Sequence, residues 1–243
     1  KKIKNNSNKI DQHLKIDIYS YPSWTLNDRQ TCDIELLLNG GFSPLRGFLN
    51  RLDYESVIKS MRLANGSLWP IPITLDVSRG FSNSLENQQK VLLRDKEGFP
   101  IAILHIEDIW EPDLQKEAKL VYKTKDKSHP AVQYLLYNTN KVYIGGDIEK
   151  ISMPRHYDYI NFRHSPKALK AIFRKNAWEN VIAFQTRNPI HKAHVELTFR
   201  ALKENNAKLL IHPSVGLTKP GDVDYFTRVR CYKHILKYYE NNI

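Results

Sequence analysis

The sequence predicts an α/β chain in which a mixed, strand-containing portion precedes a strand-helix-strand unit. Three observations carry this. Asn180-Val181-Ile182-Ala183-Phe184 is a short apolar run of the kind that forms a strand buried on both faces. Beyond it Ala193, Leu197, Ala201 and Leu202 recur at helical spacing, one apolar face of a helix ending near Asn205-Asn206. Ala207-Lys208-Leu209-Leu210-Ile211-His212 then reads as a second apolar strand, completing a unit whose crossover should be right-handed.

In chain order, residues 1–9 are rich in Lys and Asn and read as solvated. Asp28 stands where a helix over 28–38 would be capped, and Gly40-Gly41 stop it where a left-handed turn is common. A second helix is expected over 53–63. Strands are expected at 71–77, 90–94 and 101–109, the last two joined as a hairpin through Asp95-Lys96-Glu97-Gly98. Residues 113–124 are helical in pattern, and 141–144 form a further strand before Gly145-Gly146-Asp147. Residues 154–165 mix polar and aromatic side chains without periodicity. After them Ser165 caps a helix over 166–175 with Leu169, Ile172 and Phe173 turned inward, so the domain boundary is expected within 161–165. No internal repeat is present.

The run Gln185-Thr186-Arg187-Asn188-Pro189-Ile190-His191-Lys192-Ala193-His194 falls between the strand at 180–184 and the helix after it. It gathers an amide, a hydroxyl, a guanidinium and two imidazoles where an α/β unit turns away from the end of a strand. Anions and nucleotides bind at such places, because helix N-terminal amides and their dipole favour phosphate or sulfate. Pro189 suits a position at or just before the first helical turn, and His191 and His194, three apart, would project the same way. Each residue has a plainer reading: a lone histidine is more often packed or superficial, and two closely spaced histidines can ligate a metal. No third ligand is evident, since Cys32 and Cys231 are distant and no His-Glu-x-x-His pattern occurs, so no metal site is expected. Convergence of the polar side chains on one switch point favours the functional reading.

At these residues the chain resembles a known family. Gln185-Thr186-Arg187-Asn188-Pro189 followed by His191 and His194 is similar to the signature of the sulfate adenylyltransferases, or ATP sulfurylases. His212-Pro213-Ser214-Val215-Gly216-Leu217-Thr218-Lys219-Pro220-Gly221-Asp222 resembles that family's next loop, and Tyr225-Phe226-Thr227-Arg228-Val229-Arg230 the helix after it. Leu38-Asn39-Gly40-Gly41-Phe42-Ser43-Pro44-Leu45-Arg46-Gly47-Phe48 and Leu68-Trp69-Pro70-Ile71-Pro72-Ile73-Thr74-Leu75-Asp76-Val77 resemble its amino-terminal domain. The resemblance implies a β-rich PUA-like domain over 1–162 and a Rossmann-like nucleotidyltransferase domain beginning at 163, incomplete at 243. It also implies a reaction in which sulfate attacks the α-phosphorus of MgATP, giving adenylyl sulfate and pyrophosphate. Carried over by position, Gln185 and Arg187 would hold sulfate and Thr186, Arg187 and Asn188 would be catalytic. ATP would be bound by Gln185 through Asn188 with His191 and His194.

The chemistry of that reaction asks for such side chains. Sulfate is fully ionised at neutral pH and attacks as it stands, so catalysis rests on positioning and charge stabilisation rather than on a general base. Arg187 offers planar, permanently charged donors suited to tetrahedral oxyanions, whereas a lysine would be a point charge. Asn188 and Thr186 add neutral hydrogen bonds, and the histidines donate to phosphate in either protonation state.

One departure from the family is large: its Gly-Arg-Asp-His-Ala-Gly run, which grips adenine, ribose and sulfate, does not occur before Ile243. The chain is therefore expected to be an amino-terminal fragment of a longer enzyme with little activity alone, and the absence of an initiator Met fits truncation in front as well.

Length and composition agree with this reading without producing it. With 243 residues and 41% hydrophobic content the chain can bury a substantial core in one or two domains. The formal charge of +11 would help draw in ATP and sulfate, though Lys and Asn are abundant throughout. Two cysteines are too few for a disulfide framework, no run of 18 apolar residues exists, and the basic start lacks the apolar stretch of a secretory signal. A cytoplasmic protein without membrane or nucleic-acid partners is expected; a homo-oligomer and a fused or partner adenylylsulfate kinase are compatible with the family. The glycines within 38–48 lack phosphate-loop spacing and read as a helix stop. The loop 216–224, with Lys219, reads as solvated at the border of the site. An RNA-binding module would leave the run at 185–194 unexplained, and a nucleotidyltransferase with a carboxylate or phosphopantetheine-like substrate would leave the amino-terminal motifs unexplained.

Overall fold

The computed structural model describes residues 18–87, 89–215 and 221–239, and these form two compact units, one ending at Pro166 and one beginning at Lys167. The Lys/Asn-rich residues 1–9 and the part of the loop that holds Lys219 lie outside the described residues.

The first unit runs β1 (Ser23–Thr25), α1 (Asp28–Asn39), β2 (Gly47–Phe48), α2 (Arg51–Ser60), β3 (Leu75–Val77), α3 (Arg79–Ser82), β4 (Lys90–Arg94), β5 (Pro100–His105), β6 (Asp108–Trp110), α4 (Leu114–Val121), α5 (Pro130–Tyr137) and β7 (Val142–Lys150). Its seven strands form a sheet of order β1-β4-β5-β7-β2, with β3 and β6 also paired to β7. The hub strand β7 is longer than the expected 141–144 because it continues through Gly145-Gly146 and changes partners there. Residues 142–145 pair with β3 and β6, and 146–150 with β2 and β5. Only glycine fits at the changeover. Gly146 has φ 148°, and a Cβ on it would lie 1.9 Å from the His105 carbonyl oxygen.

Other departures have local causes. The expected strand 71–77 shrinks to β3, since Pro70 and Pro72 have no N–H for a ladder. The expected strand 101–109 divides into β5 and β6, where the Ile106 N–H turns to the Gln89 carbonyl and the Glu107 N–H to the Gly145 carbonyl. Asn27, not Asp28, caps α1, closing a capping box with Gln30, and Gly40 ends the helix at φ 82° as expected. The second helix starts two residues early, capped by Asn50, and stops before Met61 at φ 56°.

The core packs the two faces of this sheet: Leu75, Val77, Val91, Leu93, Leu104 and Ile144 on one side, and Tyr54, Val57, Trp110, Ala118, Val132 and Tyr143 on the other. A buried polar network surrounds Asp76. Arg29 donates to Asp33 at 2.6 Å and to Asp76 at 2.5 Å, Gln30 donates to Asp76 at 2.9 Å, and Asn140 donates to it through main chain and side chain.

The second unit contains α6 (Pro166–Lys175), β8 (Val181–Thr186), α7 (Lys192–Asn205), β9 (Lys208–Pro213), α8 (Tyr225–Ile235) and a 3-10 turn at Leu236–Tyr239. Strands β8 and β9 pair in parallel from Val181↔Lys208 to Thr186↔Pro213. Two sequence expectations are corrected here. Ile182, Phe184, Leu209 and Ile211 face a core formed with Val195, Phe199, Leu202 and Tyr239. Ala183, on the alternate face, is exposed, so β8 is buried on one face and not on both. Helix α7 is turned so that Val195, Phe199 and Leu202 meet that core at i, i+4 and i+7, leaving Ala193 and Leu197 exposed.

Candidate active site

The end of β8 delivers the residues singled out from the sequence. Gln185 and Thr186 are the last two residues of β8, and Arg187, Asn188, Pro189 and Ile190 form the turn into α7. His191 takes the N-cap of α7 with no side-chain cap bond, so its imidazole is not used to close the helix. His194 follows one turn on, and the two rings lie 3.7 Å apart between centroids, the shared direction their spacing implied. The ring of His194 also packs against Phe184 at 5.4 Å, and its Nδ1 is buried without a hydrogen-bond partner among the described residues.

The turn is braced from within. Thr186 is buried; its hydroxyl donates to the Asn188 carbonyl at 3.1 Å and accepts from the Asn188 N–H at 3.1 Å, an arrangement that holds the next two residues. The Thr186 carbonyl in turn accepts from the Ser214 N–H at 2.8 Å, joining the ends of β8 and β9. Gln185 is exposed and donates from Nε2 to the Ser214 hydroxyl at 2.6 Å. Arg187 is half-exposed, and its Nη2 contacts both Asp222 carboxylate oxygens, at 2.8 and 3.1 Å. The Asn188 side chain is exposed.

Four partners in this arrangement carried no assigned role in the sequence reading: Ser214, Asp222, Arg228 and Tyr232. Arg228 is 3% exposed, and from α8 its Nη1 donates to the Arg187 carbonyl at 2.6 Å and to the Ser214 carbonyl at 3.1 Å. The Tyr232 hydroxyl donates to the Asn188 carbonyl at 2.8 Å. The signal available was their spacing of four on a helix, which puts both on one face. Asp224 caps that helix by accepting from the Thr227 N–H at 3.0 Å, a bond that holds its carboxyl below the usual carboxylate range.

Chemically the site offers a guanidinium, an amide pair and two adjacent imidazoles at the carboxyl end of a parallel strand, next to a helix N-terminus. These are donors for oxyanions. Among the described residues, no group of three or more His, Cys, Asp or Glu is placed to hold a metal ion.

A parallel β8–α7–β9 unit with donors at its strand ends defines an α/β class of domain, and a strand-rich unit precedes it in the chain. Residues 3–153 match the PUA-like domain family and residues 160–243 match ATP-sulfurylase. The sulfate adenylyltransferase of Eremothecium gossypii is 53% identical over 222 residues, covering 91% of this chain and 44% of that protein. That of Saccharomyces cerevisiae is 52% identical over 220 residues, covering 90% and 43%. A solved structure described as a hexameric APS kinase from Thiobacillus denitrificans aligns with a TM-score of 0.74 at 31% identity, over 93% of this chain and 41% of that one. The chain belongs to the PUA-like domain family over residues 3–153, and its residues 160–243 are similar to ATP-sulfurylase. It spans under half the length of the curated relatives it matches.

Proposed function

We propose that the protein carrying this chain is a sulfate adenylyltransferase, moving AMP from MgATP to sulfate and releasing pyrophosphate. The observation that carries the reading is Arg187: half-exposed, fixed at the end of β8 by a turn whose backbone polar groups are already bonded, and flanked by Gln185 and the His191–His194 pair. In this reading Gln185 and Arg187 bind sulfate, Thr186, Arg187 and Asn188 serve the reaction, and Gln185 through Asn188 with His191 and His194 bind the ATP phosphates. Thr186 acts chiefly by shaping the turn, because its hydroxyl is engaged with Asn188.

The physical account is one of charge. Two anions must meet, and negative charge grows on the phosphoryl oxygens and the leaving pyrophosphate. Donors held on a braced turn stabilise that charge with little reorganisation of the backbone that carries them. Arg187 reaches the substrates by exchanging the Asp222 carboxylate for an incoming oxyanion, a swap of one charge-assisted bond for another. Mg²⁺ arrives with ATP as part of the substrate.

The same proposal divides the chain into a PUA-like domain, 1–162, and the start of the Rossmann-like catalytic domain, 163–243. It places the protein in the cytoplasm and allows a homo-oligomer and a fused or partner adenylylsulfate kinase. The similar hexameric APS kinase structure supports these last two features.

The test is exchange of labelled pyrophosphate into ATP by the full-length protein, with and without sulfate; exchange that ignores sulfate would sink the reading. Arg187→Lys should lose about 10²- to 10³-fold in turnover, the cost of removing one preorganised donor, while its circular dichroism stays that of the parent. Near-normal turnover by that variant counts against the assignment.

A further inference from the structure

We propose that Arg228 and Tyr232 are positioning residues that set the direction of the Arg187 and Asn188 side chains by clamping their backbone from α8. The inference rests on the sulfate adenylyltransferase reading for its kinetic arm but not for its structural one.

The bonds around Asn188 form a closed set. In the peptide between Arg187 and Asn188, the carbonyl accepts from Arg228 Nη1 and the N–H donates to the Thr186 hydroxyl. In the peptide between Asn188 and Pro189, the carbonyl accepts from the Tyr232 and Thr186 hydroxyls, and proline has no N–H to satisfy. Both peptide planes flanking Asn188 are therefore fixed, while its side chain stays exposed at the site. Arg228 does more than hold one plane. Its second acceptor is the Ser214 carbonyl, so a single guanidinium ties the turn after β8 to the end of β9.

Arg228 is a costly choice for stability alone. It is buried, and among the described residues its Nε has no hydrogen-bond partner and it forms no ion pair. A buried cation without a carboxylate carries a desolvation penalty that a well-packed neutral side chain would avoid. Both bonds leave one terminal nitrogen, Nη1, whose two N–H directions are fixed by the guanidinium plane; lysine keeps the charge and loses that fixed geometry. One turn later on the same face of α8, Tyr232 adds the second fixed point.

The experiment compares Arg228→Lys and Tyr232→Phe in the full-length enzyme. It measures kcat and KM separately and follows amide hydrogen exchange over residues 185–191. Arg228→Lys should lower kcat about 10²-fold, as expected when reacting groups are displaced by about an ångström. Tyr232→Phe should lower it about fivefold, the worth of one neutral hydrogen bond. KM should stay within about twofold in both, because the donors remain present though misdirected. Exchange over 185–191 should speed up in both variants at unchanged circular dichroism. Unchanged exchange in both variants, or activity losses that only track loss of folded protein, would overturn the clamp. If the unmodified enzyme shows no sulfate-dependent exchange, the functional reading fails, and the hydrogen-exchange measurement still decides the clamp.

Discussion

At the scale of single residues, the first unit holds a buried carboxylate whose behaviour with pH can be stated in advance. Glu117 is 4% exposed and accepts from the Tyr54 hydroxyl at 2.9 Å and the Tyr143 hydroxyl at 3.1 Å, inside a cluster completed by Trp110. Burial raises its pKa, and the two tyrosine bonds oppose that shift without cancelling it. The folded protein thus keeps this proton to a higher pH than the unfolded chain does. Its contribution to stability is present below the ordinary carboxylate pKa and is lost as pH rises through the folded value. Glu117→Gln keeps an acceptor oxygen for both hydroxyls and removes the charge. The variant should therefore melt above the parent at pH 8, with the difference shrinking toward pH 4. A gap of the same size at both ends of that range would mean that Glu117 does not titrate between them. Nothing in the helical pattern of residues 113–124 marks this group, because a glutamate on the inner face of a helix has the same letter as one on its outer face.

At the scale of elements, legibility followed how local the cause was. Strand β4 occupies the expected residues 90–94, and the helix at 166–175 and the β8–α7–β9 unit were readable because apolar periodicity and capping residues act over a few positions. Helix α5, which begins with Pro130 at its first turn behind the His129 cap, was missed, as were the two- and three-residue strands β2 and β1. Strands so short have too few side chains to show a period, and they exist because β7 and β4 offer them a ladder. Likewise the polar character of the turn after β8 was legible in the run 185–194, whereas its supports on β9, α8 and the loop between them were not, because Ser214, Asp222, Arg228 and Tyr232 meet it only through the fold. The clearest element-level test lies at the β7 changeover. Gly146→Ala combines a backbone at φ 148° with a Cβ 1.9 Å from a carbonyl oxygen. It should destabilise the first unit by about 3 kcal/mol or more, since strained backbone costs about 1–3 kcal/mol and overpacking about 1–3 kcal/mol. Urea unfolding followed by tryptophan fluorescence reads this directly, and a parental midpoint would show that the crossing relaxes without cost.

At the scale of the whole chain, the charge excess is the property that no single site explains. The sequence has 37 Lys and Arg against 26 Asp and Glu. Among the described residues, several ion pairs are exposed and so weak, including Arg51–Glu55, Arg79–Glu111 and Arg200–Glu196. On the proposed function, a field of this sign raises the encounter rate of ATP and sulfate, both multiply anionic, and leaves the chemical step alone once they are bound. Raising ionic strength from about 0.01 M to about 0.1 M shortens the screening length from about 30 Å to about 10 Å. The full-length enzyme should then lose several-fold in kcat/KM for sulfate while kcat stays level. A nucleic-acid role would separate from this in the same titration: RNA affinity would fall steeply with log salt, in proportion to the phosphates neutralised, and RNA at modest salt would compete with ATP. Steady kcat/KM across the range would mean that the basic residues are spread too evenly to steer anything, and the +11 would be a matter of composition alone.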